Sequence, residues 1–440
     1  MGRRSRRQTL YLSMNGQPVA TLERRPPGRL RLQYDPDWLD RQGSVPLSLS
    51  LPLAEEPRSD EAVESFFENL LPDSADLRTR LQRAVGADSS RAFDLLAQVG
   101  ADCVGALQIR PVQGFGDVRS IDAEPWSDAD VARHLSDLRS GGTVPGAAPR
   151  PFRISIAGAQ EKTGLLRHDG GWCLPRGTTP TTHIFKTPIG MTPQGIDLST
   201  SVDNEHLCSL LVAAFDLKVA PNEIAEFEEH RVLVVERFDR RLATDESWWI
   251  RLPQEDLCQA TGTPPARKYQ SDGGPGIPEI LRLLASARDP LEERTRFLRT
   301  QVVFWLLAAI DGHAKNFSLF LEPGGSFRRT PLYDVLSAHP AISAGTLHER
   351  EAHMAMALVG KNRHYRWREM HYRHWLSTAS RGGLTEESAK EAVASVCERA
   401  PEAVAEVEES VRGSKLIAEV VEPILEGVTA AAERLEREIE

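Results

Sequence analysis

The feature that most restricts how this chain can fold is an apolar helix-like run that stops on an acid. Residues 297–310 read Phe-Leu-Arg-Thr-Gln-Val-Val-Phe-Trp-Leu-Leu-Ala-Ala-Ile, apolar enough to lie inside a core, and Asp311-Gly-His-Ala-Lys-Asn316 follows at once. Phe317 to Leu321 then has strand character, Gly324-Gly325 marks a hairpin turn, and the chain returns through Phe327 to Tyr333-Asp334. A buried helix, a polar loop, a hairpin and an acid must therefore share one neighbourhood. The loop supplies Asp311 and Asn316 five residues apart, and Asp334 comes eighteen residues later. Phosphoryl transfer uses those groups in that order: one carboxylate for the nucleophile's proton, then an amide and a second carboxylate for magnesium. Taken alone, a solvated loop between two core elements is the plainer reading, because Asp and Asn are ordinary turn and cap residues.

With 440 residues the chain has material for about three domains. Hydrophobic residues at 40% and charged residues at 26% are a globular balance, and no apolar run reaches the roughly 18 residues of a membrane span, so no membrane partner is expected. Five scattered cysteines without a Cys-x-x-Cys pair argue against a disulfide framework or a zinc site and fit a reducing cytoplasm. The net charge of −10 opposes nucleic-acid binding by bulk electrostatics.

Residues 1–8 form a short basic tail without the apolar region of a secretory signal. Residues 9–120 read as a first unit. Asn15-Gly16 sits between two strand-like runs as a tight hairpin turn, Leu30, Leu32 and Tyr34 alternate as a third strand, and Glu61 to Leu71 is helical. Residues 121–151 are taken as a connecting segment, richest in Gly and Pro from Ser140 to Pro151. Residues 152–240 are strand-rich with one helix, which Asp203 or Asn204 can cap, and residues 241–440 are mainly helical.

Several residues of the strand-rich part suit a nucleotide. Ala157-Gly158-Ala159-Gln160-Glu161-Lys162 is a small-residue loop between strands, where backbone N–H groups can approach phosphate oxygens, although a single glycine makes no dinucleotide fingerprint. Lys186 ends an apolar strand and can either reach solvent or turn inward to phosphates. Glu205, expected in the first turn of the next helix, either favours the positive helix end or pairs with Lys186. Glu236-Arg237-Phe238 closes a strand before a charged bend, where a hinge between lobes would offer backbone groups to adenine, although most such strand ends have no such role. No His-x-x-x-His or Cys-rich cluster accompanies His183, His206 or His313, so the oxygen donors Asp311, Asn316 and Asp334 suit magnesium better than imidazole suits zinc.

Taken together these motifs resemble the HipA family of serine/threonine kinase toxins of bacterial toxin–antitoxin systems. The matching runs are Phe66 to Asp73, Ile154 to Thr163, Thr182 to Lys186, Ser201 to Glu205, Val235 to Arg240, Leu252 to Asp256, Ser271 to Gly276, Asp311 to Asn316 and Tyr333-Asp334, in family order over nearly the whole chain. The resemblance implies an α+β, two-lobed kinase-like fold, strand-rich small lobe (152–240) and helical large lobe (241–440), beside an N-terminal α/β subdomain. It implies Asp311 as catalytic base, Lys186 on the phosphates of ATP, and Mg2+ on Asn316 and Asp334. The same source puts Ala157 to Lys162, Glu236 to Phe238, His313, Asn316 and Tyr333 around the nucleotide, and makes Ser155 a site of self-inactivating autophosphorylation. It also implies a HipB-like DNA-binding antitoxin, operator DNA reached mainly through that complex, autorepression, and a translation component such as glutamyl-tRNA synthetase as the target whose phosphorylation arrests growth. A non-catalytic corepressor and a small-molecule kinase are the alternatives. Intact Lys186, Asp311, Asn316 and Asp334 weigh against the first, and the second leaves Ser155 and the N-terminal unit without a purpose.

Overall fold

The structure is a computed structural model that describes residues 8–114, 116–139, 154–155, 160–192 and 195–440, with only the backbone of residues 139, 154 and 155. The basic tail through Arg7, the segment from Ser140 to Pro151 and Ala157, Gly158 and Ala159 lie outside the described residues.

The first unit is a four-stranded sheet ordered Arg29–Tyr34, Gln17–Arg25, Gln8–Met14, Leu107–Arg110. Its first hairpin turns at Asn15 (φ 49°) and Gly16 (φ 78°), a conformation with positive φ at both central residues that Asn-Gly adopts at little cost. Alternation buries Leu10, Leu12, Leu22, Leu30 and Leu32 in one core with Phe66 and Phe67 of the helix Glu61–Asn69. Asp60 caps that helix by accepting from Val63 N–H.

The second sheet has six strands in the order Asn222–Phe227, His230–Glu236, His183–Lys186, Lys162–His168, Gly171–Pro175, Ala123–Trp126. Its edge strand and the helix Asp128–Arg139 correct the expectation that residues 121–151 only connect. Ala123–Trp126 pairs antiparallel with Gly171–Pro175, and Val131, Ala132 and Leu135 pack on Leu165, Phe185, Val232 and Val234. Val131, Ala132, Leu135 and Leu138 recur at helical spacing among the acids of this stretch, and the burial of the first three comes from the sheet they cover. The opposite face of the sheet carries Leu233 and Val235 against Val202 and Ala220.

The helix Ser201–Ala214 starts from Thr200, so neither Asp203 nor Asn204 caps it, and Glu205 lies one turn inside rather than in the first turn. Tertiary partners have claimed both side chains. Asp203 binds Arg231 (2.8 Å), while Asn204 exchanges hydrogen bonds with the Ser337 backbone, donating to its carbonyl and accepting from its N–H, both at 2.8 Å.

In the large lobe the helix Pro290–Leu306 is wrapped by Glu386–Val411 and Ala418–Ile439 within one apolar core. It stops at Leu306 rather than running to Ile310. Ala308 adopts φ 47°, with Ala308 N–H bonded to Trp305 O and Ala309 N–H to Phe304 O, a left-handed helix terminus usually given to glycine. Strain of this kind gathers at functional sites, and this one aims the chain at Asp311. Gly312 follows because a Cβ there would come within 2.7 Å of the Phe304 ring. A three-stranded sheet, Gln254–Asp256, Ser318–Leu321 and Phe327–Arg329, carries the chain from the loop to Asp334. No helix of the described residues is long and apolar enough to cross a membrane.

Candidate functional site

Strand alternation sends Phe185 into the core above the small-lobe sheet and Lys186 to the opposite face, where it is buried at 5% exposure. Its ammonium donates to Glu205 Oε1 (2.6 Å) and to Asp334 Oδ1 (2.9 Å), and Glu205 also accepts from the Asp334 backbone N–H (3.2 Å). Residues 148 positions apart thus meet at one ammonium group. Burial alone would depress the lysine, but Asp334 and Glu205 outweigh it and hold the group above the ordinary lysine range. Burial also works against the Asp334 carboxylate, yet Lys186 and then Lys162 hold it well below the usual carboxylate range. Glu205 moves up from its ordinary value because it is buried beside a second acid. Asp334 has φ 61°, a left-handed backbone that aspartate adopts more readily than most residues, and its carboxylate is bonded to Lys186.

Lys162 stands opposite Lys186 in the antiparallel register, which brings a second ammonium to the same face of the sheet. Burial pushes it down to about 8, Asp334 opposing and Lys186 assisting. Two lysines and a carboxylate pair thus share this wall of the cleft.

Across from this wall lies the loop after the buried helix. Asp311 is exposed, and Asn316 is buried with its amide nitrogen on the carbonyls of Asp311 (2.9 Å) and Asp334 (3.5 Å). With that nitrogen so oriented, the Asn316 amide oxygen faces away from those carbonyls and is available as a hard donor beside Asp334. No group of three or more His, Cys, Asp or Glu able to hold a metal occurs among the described residues. A site of one carboxylate and one amide oxygen fits Mg2+, which keeps waters and phosphate oxygens in its shell, better than it fits zinc. His313 is buried, its Nδ1 has no hydrogen-bond partner among the described residues, and burial lowers its pKa, which favours the neutral ring.

The N-terminal unit reaches this loop, which sequence reasoning missed. Lys315 donates to Asn69 Oδ1 (2.9 Å) and to Asn69 O (3.1 Å), and it lies 3.3 Å from Asp73. Asp73 also takes Lys268 (2.9 Å), whose neighbour Tyr269 donates its hydroxyl to Asp311 Oδ1. Asn69 is fixed in turn by donating to Ser65 O and Thr263 O. The run from Phe66 to Asp73 was the available signal, but nothing in its composition names a partner 246 residues away.

At the strand end, Glu236 N–H is bonded to Pro221 O and Arg237 N–H to Thr182 O, both at 2.8 Å. The Arg237 side chain points away from the cleft into a buried cluster with Asp239 and Asp102. The Phe238 ring faces Tyr333 with centroids 5.7 Å apart, and Tyr333 donates to Lys315 O (2.9 Å). Beyond the undescribed part of the nucleotide-loop candidate, Gln160 donates to Thr187 O and Glu161 pairs with Arg80 of the first unit. The backbone of Ile154–Ser155 runs parallel to Asp102–Cys103, while the Ser155 side chain lies outside the described residues.

Residues 154–404 match the HipA-like C-terminal domain and residues 10–110 the HipA N-terminal domain. The chain is 36% identical over 324 residues to Y4mE of Sinorhizobium fredii, covering 72% of this chain and 74% of that one. It is 27% identical over 322 residues to the serine/threonine-protein kinase toxin HipA of Shewanella oneidensis, covering 70% and 69%. In fold it resembles the HipA of the Shewanella oneidensis MR-1 complex of HipA, HipB and operator DNA, with a TM-score of 0.80 at 23% identity over 98% of each chain. The two family models together cover most of the chain, and the first unit joined to a two-lobed α+β body agrees with them: the chain belongs to the HipA family and is a kinase.

Proposed function

We propose that the chain is a Mg2+-dependent serine/threonine protein kinase that moves the γ-phosphoryl group of ATP onto a protein hydroxyl. The observation that carries this is the meeting of Lys186, Glu205 and Asp334, since a phosphate-binding ammonium held between carboxylates, with an amide oxygen near by, serves little purpose without a nucleotide. Lys186 and Lys162 would contact phosphate oxygens. Asp334 and Asn316 would hold Mg2+, which when bound neutralises charge on the β and γ phosphates. Phe238 and Tyr333 would line the base, with Phe238 N–H the hinge amide not already bonded to Pro221 or Thr182. His313, kept neutral, would sit beside the phosphates without repelling the metal.

In the transfer, the acceptor hydroxyl oxygen bonds to the γ-phosphorus as the bond from that phosphorus to the β–γ bridging oxygen breaks. ADP leaves, and the hydroxyl proton passes to the Asp311 carboxylate, which is exposed toward the incoming substrate. The family supports the rest of the reading: action as the toxin of a toxin–antitoxin pair, autorepression with a HipB-like DNA-binding antitoxin, growth arrest through a translation component such as glutamyl-tRNA synthetase, and silencing by phosphate on Ser155. A phosphoserine there would add about −1.5 to −2 charges next to the triphosphate, which would drive the 157–161 loop out. Asp311→Asn is expected to lower transfer from radiolabelled ATP by roughly 10²-fold or more, as for a lost general base. Turnover at the wild-type rate in that variant refutes the assignment.

A further inference from the structure

An open-mouthed cavity of about 450 Å³ lies on the large lobe next to the catalytic loop, lined among others by Tyr269, Ile310, Met354, Arg363, Tyr365 and Arg366. Two of these residues bind it to the chemistry. Ile310 precedes Asp311, and Tyr269 donates its hydroxyl to the Asp311 carboxylate. Tyr269 thus places an O–H on Asp311 from the cavity side, as an acceptor serine must. The wall of the cavity is a hairpin, His353–Val359 paired with Arg363–Arg366, which sets His353 opposite Arg366.

This region is locally basic in an acidic chain. Residues 348–374 hold six Lys or Arg against three Glu, and five of the twelve histidines, in a chain whose net charge is −10. Arg366 is neutralised by Glu369 (2.9 Å) and Arg368 by Glu349 (2.6 Å). Arg363 is exposed at the cavity and has no carboxylate partner among the described residues. An acidic chain thus keeps an uncompensated guanidinium at the approach to its catalytic base.

Resting on the kinase reading above, we propose that this cavity docks the polypeptide segment flanking the acceptor hydroxyl and that Arg363 selects an acidic side chain in that segment. The floor of Ile310 and Met354 suits side chains of an extended peptide. A nucleic-acid strand fits less well, because the Glu369 carboxylate stands in the same wall and would repel a phosphate backbone. Paired charges at such a rim mainly set specificity and encounter, so the effect belongs in KM.

The test is a positional library of serine peptides with acidic, neutral or basic flanks, phosphorylated with radiolabelled ATP by the full chain and by Arg363→Glu. Preference for an acidic flank in the wild type, with a KM raised at least tenfold in the variant, near-constant kcat and a gain for basic flanks, supports the proposal. Peptide phosphorylation without acidic preference overturns it while leaving the kinase reading intact, as does inhibition by single-stranded RNA, but not by acidic peptide, that Arg363→Glu abolishes. Failure to phosphorylate any peptide or protein while ATP still binds overturns both. Arg363→Lys must retain most of the preference, which separates a charge contact from a folding defect.

Discussion

At the scale of single residues, the site is set by charges that would be unstable apart. Lys186 and Asp334 each lose hydration on burial, and each is kept ionised by the other. Lys162 is less well compensated and sits at about 8, so in the free enzyme it is charged below that pH and neutral above it. An anionic triphosphate favours the charged form. The expected result is that kcat/KM for ATP falls as pH rises through about 8, and that Lys162→Ala flattens this limb while lowering kcat/KM at neutral pH. A pH profile that is identical in the two proteins removes Lys162 from the nucleotide site. The pairing of Lys186 with Glu205 was legible as one of two options, because a lysine ending an apolar strand ahead of an acid-bearing helix has few places to go. The left-handed backbone of Asp334 was not, since nothing in Tyr333-Asp334 itself asks for it.

At the scale of elements, the helix Glu61–Asn69 and the turn after it hold the loop Asp311–Asn316 in place. Asn69 and Asp73 together bind Lys315, which stands between Asp311 and Asn316 in the loop, and Asp73 also binds Lys268 next to Tyr269. Burial tends to raise Asp73, but Lys315 and Lys268 prevail and keep it below its ordinary range, so the charge is present at neutral pH. Asp73→Ala leaves two lysines short of a partner and is expected to lower kcat roughly tenfold to a hundredfold with little change in KM for ATP, because the proposed nucleotide contacts lie elsewhere. Steady-state kinetics with varied ATP check this, and a pure KM effect would mean that the first unit serves nucleotide binding instead. These contacts escaped the sequence for a physical reason. Periodicity and turn chemistry report neighbours a few positions apart, which is why the Asn15-Gly16 hairpin and the buried helix before Asp311 were readable. They carry no information on which distant element a capped helix end will meet, and the helix Asp128–Arg139 was passed over because only its packing against Phe185 and Val234 makes it a core element.

At the scale of the whole molecule, the first unit and the small lobe share a buried ionic cluster. Asp102 accepts from Arg240 (2.9 Å), from Arg237 and Arg251 (3.4 Å each), and from Thr181 through N–H and hydroxyl, and all four charged side chains are buried. Arg237 adds a two-pronged bond to Asp239, whose Oδ2 also accepts from Gly105 N–H. Asp102 is drawn well below the usual carboxylate range: burial opposes this, and the three guanidinium groups overcome it. Removing one partner of such a set strands the others, at a cost of about 3–5 kcal/mol. Asp102→Ala is therefore expected to lower Tm distinctly more than Asp239→Asn, which keeps the local shape and leaves Asp102 in place. Equal melting curves for wild type and Asp102→Ala would show that the cluster contributes nothing. The arithmetic of this knot reaches further than stability. Among the described residues three cations and two anions lie there, one of the anions belongs to the opening hundred-odd residues, and Arg251 touches no carboxylate except that one. A polypeptide relieved of its opening stretch would bare a lopsided patch with two positive charges too many, and it would have to recruit an acidic surface from some other chain to hide it.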